Sequence, residues 1–131
     1  MTCERNDVIV ATIWEDTSGT VFARIRNNAG DYLTQADLSG IVCKVYEGST
    51  LTGTPTVTIA TSVFDTLQTE ADDVRWGLID GSATGFNFRF TIPASCFPDP
   101  GQYLAEFRFT PTAGDMFVVV AWIKARALLS S

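Results

Sequence analysis

Few side chains in this sequence could carry out chemistry, and histidine is not among them. The chain contains no histidine, so it lacks the commonest general base near neutral pH and a principal zinc and copper ligand. Asp72, Asp73 and Asp80 could bind calcium together with loop carbonyls, but they match no EF-hand pattern. We interpret them as a solvated acidic turn. The glycine-bounded run at 81–85 precedes no predicted helix and is therefore not a phosphate loop.

The three cysteines favour buried thiols over a disulfide framework or a zinc site. Cys3, Cys43 and Cys96 are odd in number, form no CxxC pair and have no zinc-ligand spacing. Cys43 and Cys96 stand in apolar surroundings, so we predict that they are unpaired and slow to react. No residue pattern predicts a metal or another cofactor.

Aromatic and acidic residues give two further candidates for a site. Trp14, Trp76 and Trp122 are of the type on which sugar rings stack, but the sequence places them on no common surface. Val118, Val120 and Trp122 are two residues apart and share one face of the predicted strand, so we assign Trp122 to the core. Glu106 is the one carboxylate in an apolar stretch, and we expect it to form an ion pair with an arginine, Arg108 or Arg89. The sequence therefore predicts a protein that is not an enzyme.

The charge balance and hydropathy exclude other functional classes. The net charge is −6, the pI is about 4.4, and the nine basic residues are scattered along the chain. Nucleic acids need clustered Lys and Arg, so we expect no nucleic-acid partner. The longest apolar run, at 116–123, is shorter than the roughly 20 residues of a membrane-spanning helix, and residues 1–7 are polar. We expect no membrane association. We also expect that the protein is made in the cytoplasm, without a secretory signal.

Short alternating segments separated by turns predict an all-β fold. Apolar and polar residues alternate with period two in about eight segments, and no stretch of ten residues has helical periodicity. A length of 131 residues fits one domain over 1–131, and regularly spaced strands favour a sandwich or barrel. Residues 34–37 have the spacing of a capping box, which predicts one helical turn. Tyr103 follows a turn at 99–102, as a tyrosine corner would.

The closing hairpin suggests a surface for a partner. We pair Thr110 with Asp115, which places the side chains of Phe109, Phe107, Ala105 and Tyr103 on the same face as those of Met116, Val118, Val120 and Trp122. The opposite face is then too apolar for solvent, and we predict that it contacts a neighbouring subunit. The predicted interface comprises Leu104, Phe117, Val119 and Ile123, extended by Leu128 and Leu129. In the alternative, the segment at 8–14 or a long loop covers these residues. Whether 124–131 is a strand, a helix or an arm stays open.

Several segments together resemble a known kind of domain. The run Val63-Phe64-Asp65-Thr66-Leu67-Gln68, then Trp76, then the run at 85–93 and the run at 101–103 are similar to small immunoglobulin-like structural domains of tailed bacteriophages. Such domains occur in capsid decoration (cement) proteins and in baseplate or tail adaptors. The resemblance implies an antiparallel immunoglobulin-like β-sandwich of about eight strands, no enzymatic activity and binding to other virion proteins.

Within that group, the resemblance leads to a specific expectation about location. The chain has no long helical extension like those of tail adaptors. We therefore expect a decoration protein on the capsid surface that binds and stabilises the head lattice. Its main partner would be the major capsid protein, and it would form homo-oligomers. A baseplate or tail protein is the first alternative, and a carbohydrate-binding module is the second.

Overall fold

The computed structural model describes residues 7–10, 13–14, 17–69, 72–73 and 85–127. Within these ranges most residues belong to strands, as the recurring alternation predicted. The strands are β1 (Asp7–Val10), β2 (Ile13–Trp14), β3 (Gly19–Arg24), β4 (Leu38–Glu47), β5 (Thr50–Gly53), β6 (Val63–Gln68), β7 (Phe86–Ile92), β8 (Gly101–Pro111) and β9 (Phe117–Arg126). The helical elements are one α-helical turn, α1 (Ile59–Ser62), and two 3-10 turns, Gln35–Asp37 and Ala94–Cys96.

The strands form two sheets, which confirms the predicted β-sandwich. One sheet has four strands in the order β1-β3-β7-β6, and the other has five in the order β2-β9-β8-β4-β5. All pairings are antiparallel except that of β2 with β9. This strand order is that of an immunoglobulin-type sandwich. Of the segment at 8–14, predicted as one strand, the described residues are divided between the two sheets: 8–10 pair with β3 and 13–14 pair with β9, so they lie within the sheets and not over an outer face.

The core lies between the sheets and is held by interlocking aromatic rings. Phe88 on β7 makes edge-to-face contacts with Phe107 and Phe109 on β8, with ring centroids 5.2 and 5.5 Å apart. Phe109 in turn stacks on Phe117 of β9 at 5.1 Å. All but Phe117 are almost fully buried, so each contributes the several kcal/mol typical of a buried aromatic side chain.

Two local motifs predicted from the sequence are present. Asp37 closes the capping box, since its Oδ2 accepts hydrogen bonds from the Thr34 backbone N–H (2.8 Å) and Oγ1 (3.1 Å). The Tyr103 hydroxyl donates to the Asp99 carbonyl at 2.6 Å and accepts from the Asp99 N–H at 3.1 Å. Tyr103 is therefore a tyrosine corner, which ties the start of β8 to the turn before it.

Asn87 differs from its predicted position. The alternation of β7 predicted that Asn87 faces solvent, but it is 1% exposed. Its Oδ1 accepts from the Ile25 N–H at 2.8 Å, and its Nδ2 donates to the carbonyls of Ile25 and Leu33. The side chain thus replaces strand pairing beyond the end of β3, and its burial is tolerated because every polar atom is satisfied.

The register of the closing hairpin differs by one residue from the predicted one. Phe109 pairs with Phe117, not with Met116. The connection between β8 and β9 is longer than predicted because β8 continues to Pro111, where it pairs with Leu38 of β4. A hydrogen bond from the Thr112 N–H to the Asp37 carbonyl (2.9 Å) also anchors this connection. Because side chains alternate with period two, this shift exchanges the two faces of β9.

Candidate protein-interaction surface

The shifted register removes three residues from the predicted interface. Val119 and Ile123 face the core and are 4% and 0% exposed, and Phe117 is half-buried against Phe109. The prediction that these three form an outer patch is wrong. Leu104 does lie on the outer side of β8, where it is partly exposed. Leu128 and Leu129 lie outside the described residues.

A signal in the sequence could have corrected this prediction. Lys124 and Arg126 stand two and four residues after Trp122, so they share its face of β9. Placing Trp122 in the core would therefore bury two cations without partners, which is strongly unfavourable. The structure exposes all three side chains, and Trp122 is 61% exposed.

The outer face of the five-stranded sheet carries an apolar row that crosses four strands. Trp122 of β9 lies opposite Leu104 of β8, which lies opposite Tyr46 of β4, which lies opposite Leu51 of β5. These residues, which we name the outer row, are partly or largely exposed. A row of side chains this apolar, on the surface of a sheet, is typical of a binding surface.

Two further lines of side chains complete this outer face. In one, Val120 is followed by Glu106 and Lys44, and in the other Val118 is followed by Arg108 and Val42. The three valines are between 43% and 50% exposed. The apolar surface thus extends beyond the outer row and surrounds the charged residues at the centre of the sheet.

The charges on the outer face are opposite in sign to those of the chain as a whole. Among the described residues, this face carries four of the chain's nine Lys and Arg residues and one carboxylate, Glu106. The four cations are Lys44, Arg108, Lys124 and Arg126. The basic residues are scattered in sequence, but the fold brings nearly half of them together. Since charges across an interface are complementary, an acidic partner surface fits this face best.

The outer face of the four-stranded sheet is built differently. Phe22 and Phe86 lie in edge-to-face contact at 5.0 Å, and Phe64 packs against Phe86 at 5.8 Å. The Arg89 guanidinium lies 5.1 Å from the Phe64 ring centroid and donates to Asp73 Oδ2 at 2.9 Å. Asp73, predicted to lie in a solvated turn, is instead 9% exposed. Arg89, one of two predicted partners of Glu106, belongs to the other sheet.

A depression lies at one end of the sandwich. It has a volume of about 230 Å³ and is lined by Asn27, Asn28, Ala29, Leu33, Asp37, Pro111, Thr112, Ala113 and Phe117. Asp37 is its one acidic or basic side chain. The hydrogen bond from the Thr34 backbone N–H lowers the pKa of Asp37, which makes this carboxylate a poor general acid or base.

The two described cysteines are buried and unpaired, as predicted. Burial raises the pKa of Cys43 to about 12, with a contribution from nearby Cys96, and burial also raises the pKa of Cys96. Neither sulfur is therefore a thiolate at neutral pH, which favours slow reaction with electrophiles. Cys3 lies outside the described residues.

Several other candidates fall outside the part of the chain that the structure describes. They are Trp76, Asp80, the segment at 81–84 and the side chain of Trp14. Among the residues it does describe, no three metal-binding side chains come together, and no helix is long and apolar enough to cross a bilayer.

Comparison with protein-family models, curated proteins and solved structures finds no match to this chain. The functional argument consequently depends on the geometry of the described residues. The resemblance to phage structural domains stays a prediction.

Proposed function

We propose that this protein is a non-enzymatic structural subunit that binds other virion proteins through the outer face of its five-stranded sheet. The observation that supports the proposal is the outer row, in which Trp122 and Leu51 are at least half exposed. In its most specific form, the protein decorates a bacteriophage capsid and stabilises the head lattice by binding the major capsid protein. A baseplate or tail location is the alternative.

The physical basis of such binding would be apolar burial reinforced by repetition. Burial of apolar area contributes about 25 cal/mol per Å², from which the cost of association is subtracted. Many subunits on one lattice convert a modest contact into a stable assembly when a subunit engages more than one site. The cations on the same face would orient the subunit on an acidic surface.

The location is tested on particles from the source culture. Virions are purified, heads are separated from tails, and the chain is quantified in each fraction by mass spectrometry. We expect it in the heads, in a constant ratio to the major capsid protein. Recovery in the tails would support the alternative, and absence from purified particles would contradict the whole proposal.

The surface is tested with paired variants. Trp122→Ser combined with Leu104→Ser removes the larger part of the outer row, and we expect it to weaken binding to empty capsids by about tenfold or more, as loss of a central aromatic anchor does. Thr66→Ala is the control, since Thr66 is exposed on β6 of the other sheet. Equal binding by both variants would place the contact elsewhere. Adding polyphosphate as a competitor distinguishes a protein contact from general binding of anions.

A carbohydrate-binding module is the second candidate, and the exposure of Trp122 favours it. Trp122 was predicted to lie in the core, which counted against a sugar platform, and it is instead the most exposed large apolar residue described. Lys124 and its cross-strand neighbour Gln102 lie next along the same face. Titration with glycans should then change the tryptophan fluorescence of the wild type but not of Trp122→Ala. No change with any glycan would contradict this candidate.

A further inference from the structure

Much of β9 is a strand edge to which no strand is paired in the part of the chain that the structure describes. β8 pairs with one side of β9 along its length. On the other side, β2 pairs only at Ala125 and Arg126. β1 lies near β9, but it pairs with β3 of the other sheet. An open strand edge presents N–H and C=O groups that can bind another extended strand.

This edge carries none of the features that usually protect an open edge. Soluble proteins protect such edges with lysines, prolines or bulges. The outward side chains along 118–122 are Val118, Val120 and Trp122, and β9 pairs with β8 without a bulge. Lys124, the first charged residue, stands just before the point where β2 closes the edge. The open segment is thus free of bulges, apolar and suited to pairing with a strand.

We propose that two copies of this chain pair antiparallel through β9, about a two-fold axis at Val120. The inference does not depend on the proposed virion function. β2 closes the edge at Ala125, which leaves 117–124 of β9 without a second pairing strand among the described residues, and Val120 lies near the centre of this segment. A two-fold axis there pairs 117–123 with the same residues of the second copy. Val120 lies opposite Val120 of the second copy, and Val118 lies opposite Trp122 of the second copy.

The side chains of this register are complementary. Aromatic and β-branched residues are favourable cross-strand partners, and the register forms two such pairs around the central valines. It places Lys124 opposite Met116 of the second copy, so no two cations lie opposite each other at either end of the contact. Parallel pairing in register would instead place each lysine and arginine beside its own copy.

The proposed contact forms a closed dimer. A two-fold contact uses the same residues on both subunits and therefore ends at two copies, whereas a head-to-tail contact would continue into a fibre. The two five-stranded sheets would become one continuous sheet, and their outer faces would lie side by side. The three residues of the outer row other than Trp122, namely Leu104, Tyr46 and Leu51, stay as exposed in this dimer as in the monomer, so a lattice partner could still bind the outer face.

The decisive experiment uses opposite charges at the axis. In V120K the two lysines lie directly opposite each other, and in V120E the two glutamates do. Like charges directly opposite on neighbouring strands are destabilising, so each variant alone should dimerise about tenfold or more weakly than the wild type. An equimolar mixture should restore the dimer as a heterodimer. Sedimentation equilibrium over a range of concentrations, at low and high salt, measures all of these.

The matched control is V42K, because Val42 is as exposed as Val120 but lies on β4, away from the edge of β9. It should dimerise like the wild type, and urea unfolding should show that all three variants fold. A wild type that stays monomeric at the highest concentration would overturn the proposal. Loss of the dimer in V42K would also overturn it, because that result indicates face-to-face packing of the sheets. Failure of the equimolar mixture of V120K and V120E to form a dimer would overturn it as well. A wild-type monomer that dimerises only after residues 1–10 are deleted would also overturn it, because the chain's own N-terminal segment then covers the edge.

Discussion

The outer faces of the two sheets both carry large apolar side chains, but they differ in how far these side chains are buried. On the four-stranded sheet, Phe22 and Phe86 are at most 1% exposed, and Phe64 and Arg89 pack against Phe86. On the five-stranded sheet, Trp122 and the outer valines remain in contact with solvent. Apolar residues on an outer face therefore do not by themselves indicate a binding surface. They do so when the rest of the chain leaves them exposed, as it does on only one of these two faces.

The largest expected difference between the faces is in the cost of removing an aromatic ring. Phe22→Ala should lower the free energy of unfolding by about 3–5 kcal/mol, because it leaves a cavity in a closed cluster. Trp122→Ala should change it by no more than about 0.5 kcal/mol, as is usual for exposed positions. Urea unfolding of both variants measures the difference. Similar losses in the two variants would show that the chain itself covers the outer face of the five-stranded sheet.

The closed face should also depend on its ion pair. Arg89→Met removes the ion pair with the buried Asp73 carboxylate, which should cost about 1–3 kcal/mol. Arg108→Met, on the open face, is the matched control and should cost no more than about 0.5 kcal/mol, since single exposed charges contribute little. Thermal unfolding compares the two. A costly Arg108→Met would indicate that the open face has stabilising charge contacts of its own.

The comparison also shows why the fold was easier to predict than the surface. Alternation along a strand is a local property, so the strands and the sandwich could be inferred from residues such as Phe88 and Ile92. The capping box of Asp37 and the corner formed by Tyr103 depend on short, fixed spacings, and they were inferred as well. Which face of β9 lies inside depends instead on the length of one loop, and a shift of one residue exchanges the faces.

The covering of the four-stranded sheet could not be predicted from alternation at all. Asp73 and Arg89 are sixteen residues apart, and their pairing depends on the path of the chain between β6 and β7. Asn87 is buried because of two carbonyls and an N–H that come from the loop after β3. Such contacts are set by the tertiary fold. In contrast, the sequence alone shows that Lys124 and Arg126 share a face of the strand with Trp122, which indicates that this face is exposed.

A smaller effect is expected for hydroxyl groups on the two sides of the five-stranded sheet. Tyr103→Phe removes the hydrogen bonds to the Asp99 backbone and should cost about 1 kcal/mol. Tyr46→Phe changes the outer row and should have almost no effect on stability. Chemical unfolding of both variants distinguishes them. If Tyr46→Phe were the more costly variant, the outer row would be part of the folded core and not a surface for a partner.

The smallest expected effect lies at the end of the sandwich, where stability should depend on neither face. The lowered pKa of Asp37 means that the folded state favours its carboxylate. Its contribution to stability is therefore complete above the ordinary pKa of 3.8 and is lost as the pH falls through the lower value of the folded state. Asp37→Asn should be less stable than the wild type at pH 7, and the difference should shrink below about pH 4. Asp31→Asn, on the exposed neighbouring loop, is the control. A difference that persists unchanged at pH 2 would show that Asp37 acts through packing and not through its charge.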